Sequence, residues 1–104
     1  MPKVIIDETQ ILPINKNRFW NSDDADAKTI RNKWDTYINS NKVTFTKNVT
    51  ILEDGRTQIV SKSIWNDQAD YNEWQNWYNS GYSAKRIAYN EANGIIVNRN
   101  ETIE

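Results

Sequence analysis

The chain has 104 residues, enough for one domain with a modest core, and sets 13 Lys and Arg against 14 Asp and Glu for a formal net charge of −1. That balance recommends no polyanionic partner. Cysteine and histidine are both absent, which excludes thiol catalysis, disulfides, Fe–S clusters, imidazole-held zinc or haem, and any Ser-His or Cys-His pair.

Val4 to Leu12 reads as a first strand, and Pro13 limits its pairing at the end. The polar stretch Asn15-Lys16-Asn17-Arg18 leads to Phe19 and Trp20. Asn21 or Ser22 then caps a helix over about residues 23–39. Ala27, Ile30, Trp34, Tyr37 and Ile38 share one face of that helix. Asp23, Asp24 and Asp26 lie in its first turn, where carboxylates suit the helix dipole; they lack the spacing of a calcium loop and are read as capping. Asn39-Ser40-Asn41 ends the helix.

The second strand, from Lys42 to Leu52, alternates. Val43, Phe45, Val49 and Ile51 take one side, interrupted by Lys47, and Thr44, Thr46, Asn48 and Thr50 take the other. Glu53-Asp54-Gly55-Arg56 marks a hairpin. The third strand, Thr57 to Trp65, alternates less cleanly, since Ile59 adjoins Val60 and Ile64 adjoins Trp65. Either a bulge or apolar contact on both faces accounts for that. Asn66 and Asp67 cap a second helix carrying Tyr71, Trp74, Trp77 and Tyr78, and Gly81 stops it. A shorter helix from Ser83 to Asn93 turns Ala84, Ile87 and Ala88 inward, with Gly94 as its terminator. Ile95 to Val97 is the last strand, and Asn98 to Glu104 is a polar tail. The order is βαββαβ, an α+β two-layer sandwich with an extra short helix before the last strand, in one unit over residues 1–104.

No apolar stretch is long enough for a signal peptide or a membrane span, so a cytoplasmic location without a membrane partner is expected. The abundance of asparagine and isoleucine points to the AT-rich genome of a microbe or its virus.

At Ser63-Ile64-Trp65-Asn66-Asp67-Gln68-Ala69-Asp70-Tyr71-Asn72-Glu73-Trp74 the chain resembles the dimeric α+β barrel superfamily, ferredoxin-like proteins that include the antibiotic-biosynthesis monooxygenase-like group and small relatives of uncharacterised function. The third strand of those proteins commonly ends in an aromatic residue, followed by a polar cap and a helix with aromatics facing the sheet. As an order of elements the resemblance runs from Val4 to Val97. It implies a homodimer with two sheets face to face and a pocket between sheet and helices. Haem-handling relatives rely on histidine, which this chain lacks, so no haem or other cofactor and no metal is expected. Cofactor-free relatives use Asn, Trp, Tyr and Arg, but no individual catalytic residue carries over.

Trp34 and Trp74 lie on apolar helix faces and are read as core, and Trp65, beside a helix cap, is the best candidate for a pocket wall. Tyr71 joins it. Thr44 and Thr46, with Lys62 or Ser63, would line a polar cavity at a dimer interface if they face away from the helices. Lys85, Arg86 and Arg99 are read as solvated surface rather than as an anion patch. The function expected is a small-molecule-binding or structural role. The first alternative is a cofactor-independent monooxygenase acting on a small aromatic or polyketide-like substrate. A second is an RNA-binding module, which shares the βαββαβ order; the single aromatic of the third strand and the net charge both argue against nucleic acid.

Overall fold

A computed structural model of the chain describes residues 2–104. Among them, the segments of period two form four strands: β1 (Val4–Leu12), β2 (Val43–Ile51), β3 (Thr57–Trp65) and β4 (Ile96–Ile103). Three helices accompany them, α1 (Ala25–Asn39), α2 (Gln68–Tyr78) and α3 (Tyr82–Ala92), and a 3-10 turn at Phe19–Asn21 precedes α1. The sheet runs β2-β3-β1-β4 with every neighbouring pair antiparallel. That order, with the helices packed on one face, is the ferredoxin-like arrangement.

Local chemistry explains the boundaries. Helix α1 begins at Ala25, later than the sequence reading, because the cap is Asp24 rather than Asn21 or Ser22. Its Oδ1 accepts the Asp26 N–H at 2.8 Å. Asp67 does the same for the Ala69 N–H at 2.9 Å at the head of α2. Asp24→Ala and Asp67→Ala are each expected to lose about 1 kcal/mol in a urea unfolding curve, as an orphaned helix donor loses its acceptor.

In the hairpin between β2 and β3, the Gly55 N–H donates to Leu52 O at 2.9 Å and the Leu52 N–H to Arg56 O at 2.8 Å. Gly55 has a φ of +88°, a region that favours glycine, and a Cβ there would approach Ile14 Cδ1 to 3.0 Å. The Arg56 backbone N–H and then its guanidinium hold the Asp54 carboxyl below the usual carboxylate range.

Strand β3 pairs without interruption with both β1 and β2, so its irregular pattern is not a bulge. Ile59 and Trp65 face the helices while Val60 and Ile64 face away. Two other expectations need correcting. Residues 98–103 are not a tail but most of β4, held along its length by β1; their polarity suits an edge strand. Helix α3 does not turn Ala84, Ile87 and Ala88 inward. All three are exposed, Ile87 at 56%, and Tyr82, Arg86, Tyr89 and Asn90 take the inner side instead.

The main core is aromatic. Trp65, 1% exposed, lies among Trp34, Tyr37, Tyr71 and Trp74, with ring centroids 5.1–6.4 Å away and most of the rings edge-on. Val4, Ile6, Ala27, Ile30 and Val43 complete it. The Tyr37 hydroxyl donates to Glu73 Oε1 at 2.5 Å, tying α1 to α2; burial first, and this acceptor second, push the Tyr37 pKa up. A second cluster, Leu12, Ile59 and Ile95, closes the other end of the sheet.

Candidate ligand-binding cavity

The helix-facing side of the sheet is built in cross-strand rows. Val43, Trp65, Val4 and Ile103 form one row, and Phe45, Ser63, Ile6 and Glu101 the next. Lys47, Ser61, Glu8 and Arg99 form the third, and Val49, Ile59, Gln10 and Val97 the fourth. A continuous core would place branched aliphatic residues at the central positions of these rows. Ser61 and Ser63 instead leave room above β3, and Glu8 and Gln10 bring polar groups to the middle of β1. The result is a cavity of about 630 Å³ between sheet and helices, within the size range of small-molecule sites.

Its wall divides into two kinds of surface. Trp20, Trp34, Phe45, Trp65, Trp74 and Tyr78 contribute rings. The charged lining is Arg18, Lys47, Arg86 and Arg99, against the two acids Glu8 and Glu101. The cavity therefore carries an excess of positive charge in a chain whose net charge is −1.

These polar groups are held by specific partners. Arg86 Nη2 donates to Glu8 Oε1 at 2.7 Å and Nη1 to Glu8 Oε2 at 3.3 Å, a two-point pair across α3 and β1. Gln10 Nε2 donates to Glu8 Oε1 at 3.1 Å. Burial works against the Arg86 charge, but Glu8 more than offsets it and holds the guanidinium pKa above its ordinary value. Burial also raises the Tyr78 hydroxyl, in spite of the cationic Arg86 beside it. At the β4 side, the Tyr71 hydroxyl oxygen accepts from Arg99 Nη2 and from Gln75 Nε2, both at 2.5 Å. Both of its lone pairs are thus engaged, and its own proton is free to donate.

Arg18 is different. Its Nε is buried and has no hydrogen-bond partner. Burial and then repulsion from Arg86 lower its pKa, with Glu8 acting in the opposite sense. The segment carrying it is firmly placed. The Tyr89 hydroxyl donates to Asn17 O at 2.7 Å, and Arg31 Nη1 donates to Trp20 O and, at 3.1 Å, to Ser22 O. Phe19 packs against Tyr89 with centroids 5.4 Å apart.

Of the four residues singled out from the sequence, the structure brings Trp65 and Tyr71 together on the cavity wall. Thr44 and Thr46 lie on the opposite, helix-free face, paired with Ile64 and Lys62. Ser63 lies on the cavity side, so it cannot share a surface with those threonines. The solvated-surface reading is corrected for Arg86, which is ion-paired inside the cavity. Arg99 is exposed, at the cavity rim, with its guanidinium bonded to Tyr71, and Lys85 is exposed and paired with Asp26. Among the described residues no group of three or more acidic side chains gathers as metal ligands would, and no helix is long and apolar enough to cross a membrane.

The helix-free face presents Ile5, Asp7, Thr9 and Ile11 from β1, Val60, Lys62 and Ile64 from β3, and Ile96 and Asn98 from β4. The strands place no aromatic ring on that face.

No family model matches the chain, and no curated protein matches it. Among solved structures it is similar to a dimeric ferredoxin-like protein from an uncultured marine organism, with 12% identity over 100% of this chain and 96% of that one and a TM-score of 0.60. It is also similar to the de novo designed protein Foldit4, with 12% identity over 96% of each chain and a TM-score of 0.56. At this identity the likeness establishes the ferredoxin-like fold and nothing beyond it.

Proposed function

We propose that this chain is a small-molecule-binding protein that pairs as a homodimer through the helix-free face of its sheet and holds its ligand on the other side, between sheet and helices. The observation that carries this reading is the cavity of about 630 Å³, lined both by aromatic rings and by polar groups that include the buried Gln10, Ser61 and Ser63 and the Glu8–Arg86 pair. A structural protein gains nothing from Ser61, Ser63, Glu8 and Gln10 at positions where aliphatic packing would stabilise it. Support for pairing comes from the apolar side chains Ile5, Ile11, Val60, Ile64 and Ile96 on the open face, and from the dimeric solved neighbour.

Binding is favoured over cofactor-independent oxygenation by the state of Glu8. Both its oxygens accept hydrogen bonds from Arg86, and one accepts from Gln10 as well, so the buried carboxylate is committed rather than free to take a substrate proton. RNA binding is disfavoured because the rings that would stack on bases point into the core.

Thermal unfolding across a panel of neutral, cationic and anionic aromatic compounds tests the reading. A melting temperature that rises with the concentration of one class is expected, since a ligand that binds only the folded state stabilises it by mass action. A panel without any rise contradicts it. Light scattering on a size-exclusion column is expected to give twice the 12.2 kDa chain mass. A monomer at all concentrations would remove the pairing and leave the cavity reading standing.

A further inference from the structure

We infer that the ligand of this cavity is an aromatic monocarboxylate, its ring system against the tryptophan wall and its carboxylate on the guanidinium of Arg18. This rests on the proposal that the cavity is a binding site, and goes further by fixing the charge and shape of what enters.

The ionic groups of the cavity differ in what already satisfies them. Lys47 and Glu101 are exposed at the rim, where water screens them. Arg99 is bonded to Tyr71 and lies 3.8 Å from Glu101. Deeper in, Arg86 and Glu8 satisfy one another through two hydrogen bonds. One cation is left over, Arg18, and its buried Nε lacks any acceptor. Arg18 lines the cavity and, unlike Arg86 and Arg99, enters no ion pair among the described residues, so its charge is left for a ligand. One unmatched cation asks for one negative charge. A guanidinium offers a planar fork of donors that a planar carboxylate fits with two parallel hydrogen bonds. The Tyr71 hydroxyl proton, left free by its two donors, offers a further hydrogen bond within the same cavity.

Trp20, Trp34, Phe45 and Trp74 line the same cavity, and Trp34 lies edge-on to both Trp20 and Phe45 with centroids 5.9 Å apart. A ligand ring set against such rings gains stabilisation beyond the area it buries, which an alkyl chain does not.

Isothermal titration of the full chain with 2-naphthoate and with 2-naphthamide tests the inference, because the two differ in charge and hardly in shape. The wild type is expected to bind the carboxylate about 10- to 100-fold more tightly, as a charge-assisted hydrogen bond contributes. Arg18→Gln is expected to abolish that preference, with a far-ultraviolet circular dichroism spectrum like that of the wild type showing that the variant is folded. Arg18→Lys is expected to retain part of the preference, having the charge without the fork. Equal binding of both compounds to the wild type would overturn the inference and leave the cavity as a site for neutral ligands. A preference that survives in Arg18→Gln would overturn the role of Arg18. No binding of either compound would overturn the binding-site proposal and this inference with it.

Discussion

Trp65→Ala is expected to lower the unfolding free energy by about 3–5 kcal/mol, the largest effect of any single truncation in the chain. The indole is 1% exposed and belongs to the row of β3 that also seats Val43 and Val4. Trp34, Tyr37, Tyr71 and Trp74 surround it, so its removal deletes a large buried surface and four ring contacts together. Rigid neighbouring rings cannot collapse into the gap, which keeps the cost at the upper end of cavity-forming substitutions. For a protein whose total stability is on the order of 5–15 kcal/mol, that is about a fifth of the whole or more. Urea unfolding followed by far-ultraviolet circular dichroism checks this: the midpoint should fall steeply with little change in slope. Trp65→Phe, which keeps a ring, should cost markedly less. A midpoint shift in Trp65→Ala no larger than that of an exposed substitution such as Ile87→Ala would contradict the described core.

Glu8→Gln is expected to cost about 3 kcal/mol, because breaking a buried pair strands its partner. The Glu8 and Arg86 side chains are only 14% and 26% exposed, so solvent screens the pair weakly. Without the carboxylate, both Arg86 and Arg18 remain in the cavity with no negative charge between them. The double variant Glu8→Gln with Arg86→Met should recover most of the loss, a non-additivity that identifies the pair rather than the individual residue as the source. Arg18→Met is expected to act in the opposite direction and raise stability by about 1 kcal/mol, because an unpartnered buried donor is removed. The sign follows from the lowered Arg18 pKa: its charge is less favourable in the folded protein than in the unfolded chain, so at neutral pH the charge opposes folding. Destabilisation by Arg18→Met would place an undetected partner on that side chain.

The elements that could be read directly from the residues are those where local and tertiary preferences coincide. Strands β1 to β3 are nine-residue runs rich in branched residues, with clear alternation in β2, the turn has Gly55 at a positive φ, and α2 has its aspartate cap at Asp67. Helix α3 was misread because its apolar residues, Ala84, Ile87 and Ala88, point outward. Its inner side carries Arg86, placed at the cavity by its ion pair with Glu8, and Tyr89, held by its hydrogen bond to Asn17 O and its packing against Phe19. The same applies to β4, whose polar residues suggested a tail because an edge strand at a cavity rim has little apolar surface to bury.

The site did leave a sequence signal. In β1 the residues Val4, Ile6, Glu8, Gln10 and Leu12 share a face, and in β3 so do Ile59, Ser61, Ser63 and Trp65. Polar or small residues in the middle of a face that is apolar at both ends mark a place where the core is interrupted. What pairwise alternation does not reveal is which distant residues meet there. Arg18 and Arg86 lie far apart in the chain and converge on Glu8 only through the topology of the sheet. The threonines of β2 are conspicuous in the sequence for their regular spacing, and their face lies away from the cavity, on the open side of the sheet.

The central claim is an accessible cavity lined by identifiable tryptophans, and the most direct measurement is a titration of uniformly 15N-labelled protein with 2-naphthoate, following the five indole N–H signals. Trp20, Trp34, Trp65 and Trp74 line the cavity and Trp77 does not. The account predicts saturable shifts of those four signals, with Trp77 moving least. Signals that stay in place at saturating ligand, or a shift confined to Trp77, would contradict it.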